Sequence, residues 1–260
     1  MNSNFKKFTT FFLLIISFNL FPQNNPELVT DRPDRTESAS TIPADWLQIE
    51  TGYEYVREAS NENSDLASIN AVGTLIRFGL FDEVELRLAG AFLSQELKSI
   101  NNELSSDGLA NFMFGAKFGL AKDHETIPDI ALLTHLFLPV GAESHRPDKV
   151  EPQAILSFSK AVLDFLDFGA NLGMHYTSSD EKAFYFYTLA AGVDITEKLG
   201  GFIEIFSEVF TDTSPFYSVD TGLTYLLLSN LQLDVSAGNG LFSNSKVWYL
   251  GAGFSIRLPR

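Results

Sequence analysis

The sequence predicts an all-β chain: a transmembrane antiparallel up-and-down β-barrel of about twelve strands, with an N-terminal periplasmic or plug segment. Three observations predict it. The chain opens with an export-type leader, yet no later apolar run is long enough for a helical membrane span. From Asp45 onward hydrophobicity alternates with period two over long stretches, and a tilted membrane-crossing strand needs about 9 to 11 residues. The connections between these stretches alternate between long polar ones and short turns, as the two rims of a barrel require.

The elements follow in order. Lys6 and Lys7 precede the apolar run FTTFFLLIISFNLF, so residues 1–23 read as a signal peptide, with cleavage expected between Phe21 and Asn25. Its removal takes two lysines and no acid, moving the formal charge from -15 to -17. So acidic a chain lacks the basic footprint that phosphate binding needs, which excludes nucleic acid as a partner. The chain has no Cys, so neither a disulfide framework nor a lipid-modified N-terminal cysteine is expected.

Residues 24–44 form the next unit, and 45–260 the barrel. The stretch LVTDRPDRTESAS, Leu28 to Ser40, is charged and hydroxyl-rich, and Pro26, Pro33 and Pro43 disfavour helix around it. Tethered to the mouth of a charged lumen, Asp31, Arg32, Asp34, Arg35 and Glu37 can fold inward and pair there. The alternative is a solvated tail.

Strands are expected near 45–57, 67–80, 83–94, 108–121, 127–140, 151–162, 165–177, 183–196, 200–211, 215–228, 231–239 and 246–258. In the first, Leu47, Ile49, Thr51, Tyr53 and Tyr55 oppose Gln48, Glu50, Gly52 and Glu54. In the fourth, Ala110, Phe112, Phe114, Ala116, Phe118 and Leu120 oppose Asn111, Met113, Gly115, Lys117 and Gly119. The last sets Trp248, Leu250, Ala252, Phe254, Ile256 and Leu258 against Tyr249, Gly251, Gly253, Ser255 and Arg257. VREASNENSDLAS, SQELKSINNELSSD, GAESHRPDKVEP and SSDEK read as long outer loops; GLFDE, VLDF, TEKLG and LLSN as short turns; AKDHETIPD is a longer connection on the short-turn side.

A soluble barrel or sandwich would bury the same apolar face. Two features favour lipid. Tyr55, Tyr176, Tyr185, Tyr187, Tyr217 and Trp248 fall at the strand ends beside the long loops, where an aromatic girdle belongs, and the opposite faces are rich in Gly and in both signs of charge. The expected location is the bacterial outer membrane, with its lipid and the barrel-assembly machinery as partners.

The polar faces carry Glu50, Glu54, Arg77, Glu85, Arg87, Lys117, His135, Asp167, His175, Glu204, Glu208, Asp220, Asp234 and Arg257. Buried ions must be paired or wetted, so these groups either cross-link strands or line water. An acid-rich lumen favours cations if it conducts. Strand nine also turns Phe202, Phe206 and Phe210 to the side of Glu204 and Glu208, and strand eight adds Phe184 and Phe186, as packing or as a patch for an apolar solute. The candidate solute path is Glu50, Glu54, Glu85, Arg87, Lys117, His135, Asp167, His175, Glu204, Phe206, Glu208 and Asp220. No GxSxG, HExxH or phosphate-binding glycine loop occurs, and the four His are scattered, so no catalytic residue, metal site or cofactor is assigned. His145 with Asp148 on an outer loop is the single pairing a hydrolase could use.

The run TDRPDRTES, Thr30 to Ser38, followed by Pro43 and then LQIETGYEY, resembles the Bacteroidetes members of the transporter family named for the meta-pathway of phenol degradation. The resemblance implies an outer-membrane barrel passing small solutes, hydrophobic or aromatic ones among them, and a plug that includes Asp31, Arg32, Pro33, Asp34, Thr36 and Glu37. Passive passage is thus the leading reading. A closed structural or surface-binding barrel and an outer-membrane hydrolase are the alternatives.

Overall fold

The computed structural model describes residues 26–60, 66–99, 102–210, 214–241 and 245–259; the expected signal peptide and its cleavage region lie outside them. Period-two side chains give each stretch one apolar and one polar face, and twelve such strands form: β1 (Trp46–Ser60), β2 (Leu66–Phe81), β3 (Val84–Ser99), β4 (Asn102–Ala121), β5 (Asp129–Phe137), β6 (Glu151–Leu163), β7 (Leu166–Thr177), β8 (Lys182–Asp194), β9 (Leu199–Val209), β10 (Phe216–Leu228), β11 (Leu231–Leu241) and β12 (Ser245–Pro259). Each pairs antiparallel with its sequence neighbours, and β1 closes on β12 from Trp46↔Pro259 to Ser60↔Ser245. Closure leaves no sheet edge unpaired, the condition for a sheet in hydrocarbon.

Burial separates the two faces. Outward-facing Val72, Leu88, Phe114, Leu172, Ile203, Leu223, Val235 and Leu250 are exposed, whereas inward-facing Gln48, Arg77, Glu85, Arg87, Lys117 and Glu204 are almost completely covered. This reverses a soluble protein and is the arrangement of a barrel standing in lipid. Tyr185, Tyr187 and Tyr217 are exposed on the outside near the loop rim, and Tyr55 meets Trp248 with ring centroids 5.4 Å apart, so the expected girdle lies on one rim.

Three expectations are corrected. SQELKSINNELSSD is mostly strand: β3 continues to Ser99 and β4 starts at Asn102, with Leu97 opposite Leu104 and Lys98 paired to Glu96 and Glu103 at 3.1 and 3.2 Å. A backbone ladder is satisfied whatever the side-chain polarity, so charge there marks exposure to water and not the end of the strand. Next, the outward row of β4 breaks at Asn111, which adopts a φ of 53° where the register with β3 shifts between Ala89 and Ala91. The extra residue of this bulge turns Ala110 inward, fully buried, and Leu109 outward. β5 also stops at Phe137, three residues short of the expected end.

Candidate functional site

The lumen is occupied by the chain's own N-terminal segment. Proline-interrupted and without an apolar stripe, residues 26–44 cannot make a helix or a core of their own, but their backbone groups still need partners. The lumen wall supplies them. Arg257 and Gln48 donate to the Val29 carbonyl, Lys117 to the Ser38 and Ser40 carbonyls, and Arg77 to the Ser40 carbonyl. Asn171 is bonded twice to the Glu37 backbone, accepting its N–H at 2.7 Å and donating to its carbonyl at 2.9 Å. Glu85 accepts the Ile42 N–H at 3.0 Å, and the segment leaves the lumen at the short-turn rim, where Asp45 N–H donates to the Gly79 carbonyl at 2.9 Å.

Successive residues of an extended chain point to opposite sides, and the sequence DR exploits this. Asp31 faces the β2–β4 wall, where its carboxylate meets Arg87 at 2.8 Å, Arg77 at 3.0 Å and Lys117 at 3.1 Å. Glu50 and Glu85 share those cations, with Arg77 2.8 Å from each. Burial raises the Asp31 carboxyl, but Arg77, Lys117 and Arg87 outweigh it and hold the group well below the usual carboxylate range. Arg32 points the other way, forming a two-pronged pair with Asp234 at 2.8 and 3.3 Å. It lies against paired glycines: a methyl group at Gly52 or Gly253 would fall on its guanidinium.

The rest of the motif divides likewise. Asp34 has no ion pair among the described residues, and burial followed by the Glu204 charge pushes it well above the usual range. Arg35 reaches Glu54 at 2.8 Å and lies over the rings of Tyr249 and Phe206, 5.3 and 5.9 Å from their centroids. Glu204 accepts the Arg35 N–H at 2.8 Å and the Thr36 hydroxyl, and Thr36 also meets Thr188 at 2.6 Å. Glu37 pairs with Arg87 at 2.7 Å; burial nevertheless pushes it up to about 7. Pro33 follows a cis peptide bond.

Residues 32–37 separate two cavities. The one on the short-turn side has a volume of about 530 Å3, and Asp34, Asp167, Asp194 and Phe202 are among its walls. The one towards the long loops has about 350 Å3 and is walled by Arg35, Glu37, Phe184, Phe186, Phe206 and Glu208. Above it Phe137, His175, Phe184 and Phe210 make a continuous arc of rings with centroid distances of 4.8 to 5.3 Å.

The expected path residues therefore fall into separate groups. Glu50, Glu85, Arg87 and Lys117 form a dry ionic lattice against Asp31, with side-chain exposures of 0 or 1%. His135 is buried beside Gln153 at 2.8 Å, and His175 pairs with Glu151 at 3.2 Å. Asp167, Phe206 and Glu208 line cavities, Glu54 holds Arg35, and Asp220 accepts the Tyr249 hydroxyl near Glu204. Sequence reasoning did not single out Asn171, Tyr249 or Gln153, or the role of Gly52 and Gly253; their signal was position on the inward face. No hydrogen bond or ion pair joins His145 to Asp148 among the described residues; Asp148 N–H donates instead to Ser178. No group of His, Asp and Glu there could hold a metal ion.

A family profile described as "Putative MetA-pathway of phenol degradation" matches residues 30–258. Among curated proteins the sequence has no match. Among solved structures, an outer membrane channel from Pseudomonas putida F1 is similar, with a TM-score of 0.67 at 10% identity, covering 85% of this chain and 98% of that one. The translocator domain of autotransporter NalP from Neisseria meningitidis is similar with a TM-score of 0.54 at 8% identity, covering 97% of this chain and 96% of that one. Such likenesses establish the fold, that of outer-membrane barrels.

Proposed function

The chain belongs to this phenol-degradation family, and from that premise we propose that it is a passive outer-membrane channel for small solutes, hydrophobic or aromatic ones among them, with residues 26–44 as its plug. The observation that carries this reading is the septum: residues 32–37 divide a lumen that opens into a cavity on either side. The septum is held by side-chain contacts and contributes no strand to the barrel wall, so it can leave without unpairing the barrel. Solute passes by diffusion once it moves, since nothing in the chain suggests ATP use. The short turns, and the junction of the N-terminal segment with β1, lie at the periplasmic rim, and the longer hairpins outside. The acids along both cavities favour cationic over anionic solutes.

The ionic lattice around Asp31 favours a second reading, a closed structural barrel, because dry and fully paired charges are also what a permanent filling needs. Single-channel conductance in planar bilayers separates the two, comparing the mature protein with one lacking 24–44. Enlarged or steadier conductance on truncation is expected. Silence in both forms, with heat-modifiable migration proving a folded barrel, would establish the closed reading. For the solute class, Phe206→Ala should change uptake of an aromatic solute; unchanged uptake across a panel removes Phe206 from the path.

A further inference from the structure

The loop-side cavity has an uneven charge balance. Arg35 is committed to Glu54 at 2.8 Å and to two rings, and Glu37 to Arg87 at 2.7 Å. Glu208, by contrast, has no ion pair or hydrogen bond among the described residues, although it lines the cavity. The ladder places Phe186 directly across from Glu208, and Phe206 lies two residues before it on the same face. The Phe186 ring lies flat over Gly173, where any Cβ would collide with it, and Phe184 is stacked on Phe210 at 4.8 Å. One carboxylate with no direct partner, in the field of Arg35 and His175, thus borders a group of aromatic rings.

We propose that this cavity binds an organic ammonium ion carried on an aromatic ring, the ammonium on the Glu208 carboxylate and the ring among Phe184, Phe186 and Phe206. Aromatic surroundings favour both a cation and a further ring. An anionic solute has no free cation to meet here, because Arg35 is already paired. A bare metal ion would need several converging oxygen ligands, but Glu37 is paired to Arg87 and no group of His, Asp and Glu among the described residues could hold one. The proposal deepens the channel reading by naming a solute class, and it rests on that reading only for the cavity's place on the path.

Equilibrium binding tests it without requiring passage. The mature barrel in lipid nanodiscs is titrated by calorimetry with phenethylammonium, with neutral 2-phenylethanol and with anionic 3-phenylpropionate, empty nanodiscs being subtracted. The ammonium is expected to bind about tenfold or more tightly than the alcohol, the size of one charge-assisted contact, and the acid most weakly. Glu208→Gln should bring the ammonium to the level of the alcohol, and Phe186→Leu should weaken both. Equal affinity for ammonium and alcohol, or a preference that survives Glu208→Gln, overturns the proposal. Conductance on truncation, together with a mature barrel that shows no such preference, sinks this inference alone; a barrel silent in both forms whose mature form keeps the preference sinks the channel reading alone.

Discussion

The two sides of the lumen wall are built on opposite charge. The β1–β4 side concentrates Arg77, Arg87 and Lys117 with Glu50 and Glu85, while the β9–β11 side presents Glu204, Asp220 and Asp234. On the first side the N-terminal segment supplies the missing anion, Asp31, and the cations and carboxylates then interlock with almost no exposed surface. On the second it supplies Arg32 to Asp234, but Glu204 is met by a backbone N–H and a hydroxyl, and one oxygen of Asp220 has no hydrogen-bond partner among the described residues. The basic side is thus finished by the segment, and the acidic side only partly so. Docking should accordingly be anchored at Asp31 and loosest towards β9–β11.

The largest expected effect comes from Asp31→Asn, which leaves Arg77, Arg87 and Lys117 facing only Glu50, Glu85 and the partly covered Glu37. Removing one partner of a buried ionic cluster costs about 3 to 5 kcal/mol. The channel should spend most of its time open, read as open probability in single-channel records. Arg32→Ala strands Asp234, whose side chain is fully buried, but Arg32 itself is 25% exposed. A smaller loss of about 1 to 3 kcal/mol is expected. If Arg32→Ala opens the channel more than Asp31→Asn, the anchor has been placed on the wrong side.

Gly52→Ala should act more weakly still and through one side only. Its methyl group would displace the guanidinium from Asp234 while leaving Asp31 in place, so combining it with Arg32→Ala should add little opening. Additive effects of the two would show that Gly52 acts elsewhere. The mildest perturbation is pH. Glu37, pushed up to about 7 by burial when docked, takes up protons on docking, as does Asp34. A carboxyl raised on docking contributes stability that is complete below its undocked pKa and is lost as pH rises through the docked value. Open probability should therefore rise between about pH 5 and pH 8, with the dependence reduced in Glu37→Gln. Opening that falls over this range would assign control to another group.

How much of this was legible in the sequence varies by element. The strands and their faces were legible, because alternation over ten residues leaves the backbone few alternatives, and the tyrosines at the strand ends marked the membrane boundary. The extension of β3 and β4 was not, because solvent-exposed strand and loop have the same polar composition. The Asn111 bulge was not either: a single left-handed residue leaves no periodic trace, yet it moves Ala110 to the inner face.

The sequence by itself determined the barrel, the strand number and the list of charges facing inward, since all of these are local consequences of a two-residue repeat. Only the tertiary structure decided which charge meets which. Asp31 and Asp234 lie far apart along the chain, and sequence spacing does not say that Asp31 meets Lys117 while Arg32 meets Asp234. Closure of β1 on β12 brings the opposing walls within reach of one extended segment, and the Coulomb energy between buried groups depends on that distance and on the exclusion of water. Both appear only when the sheet is closed.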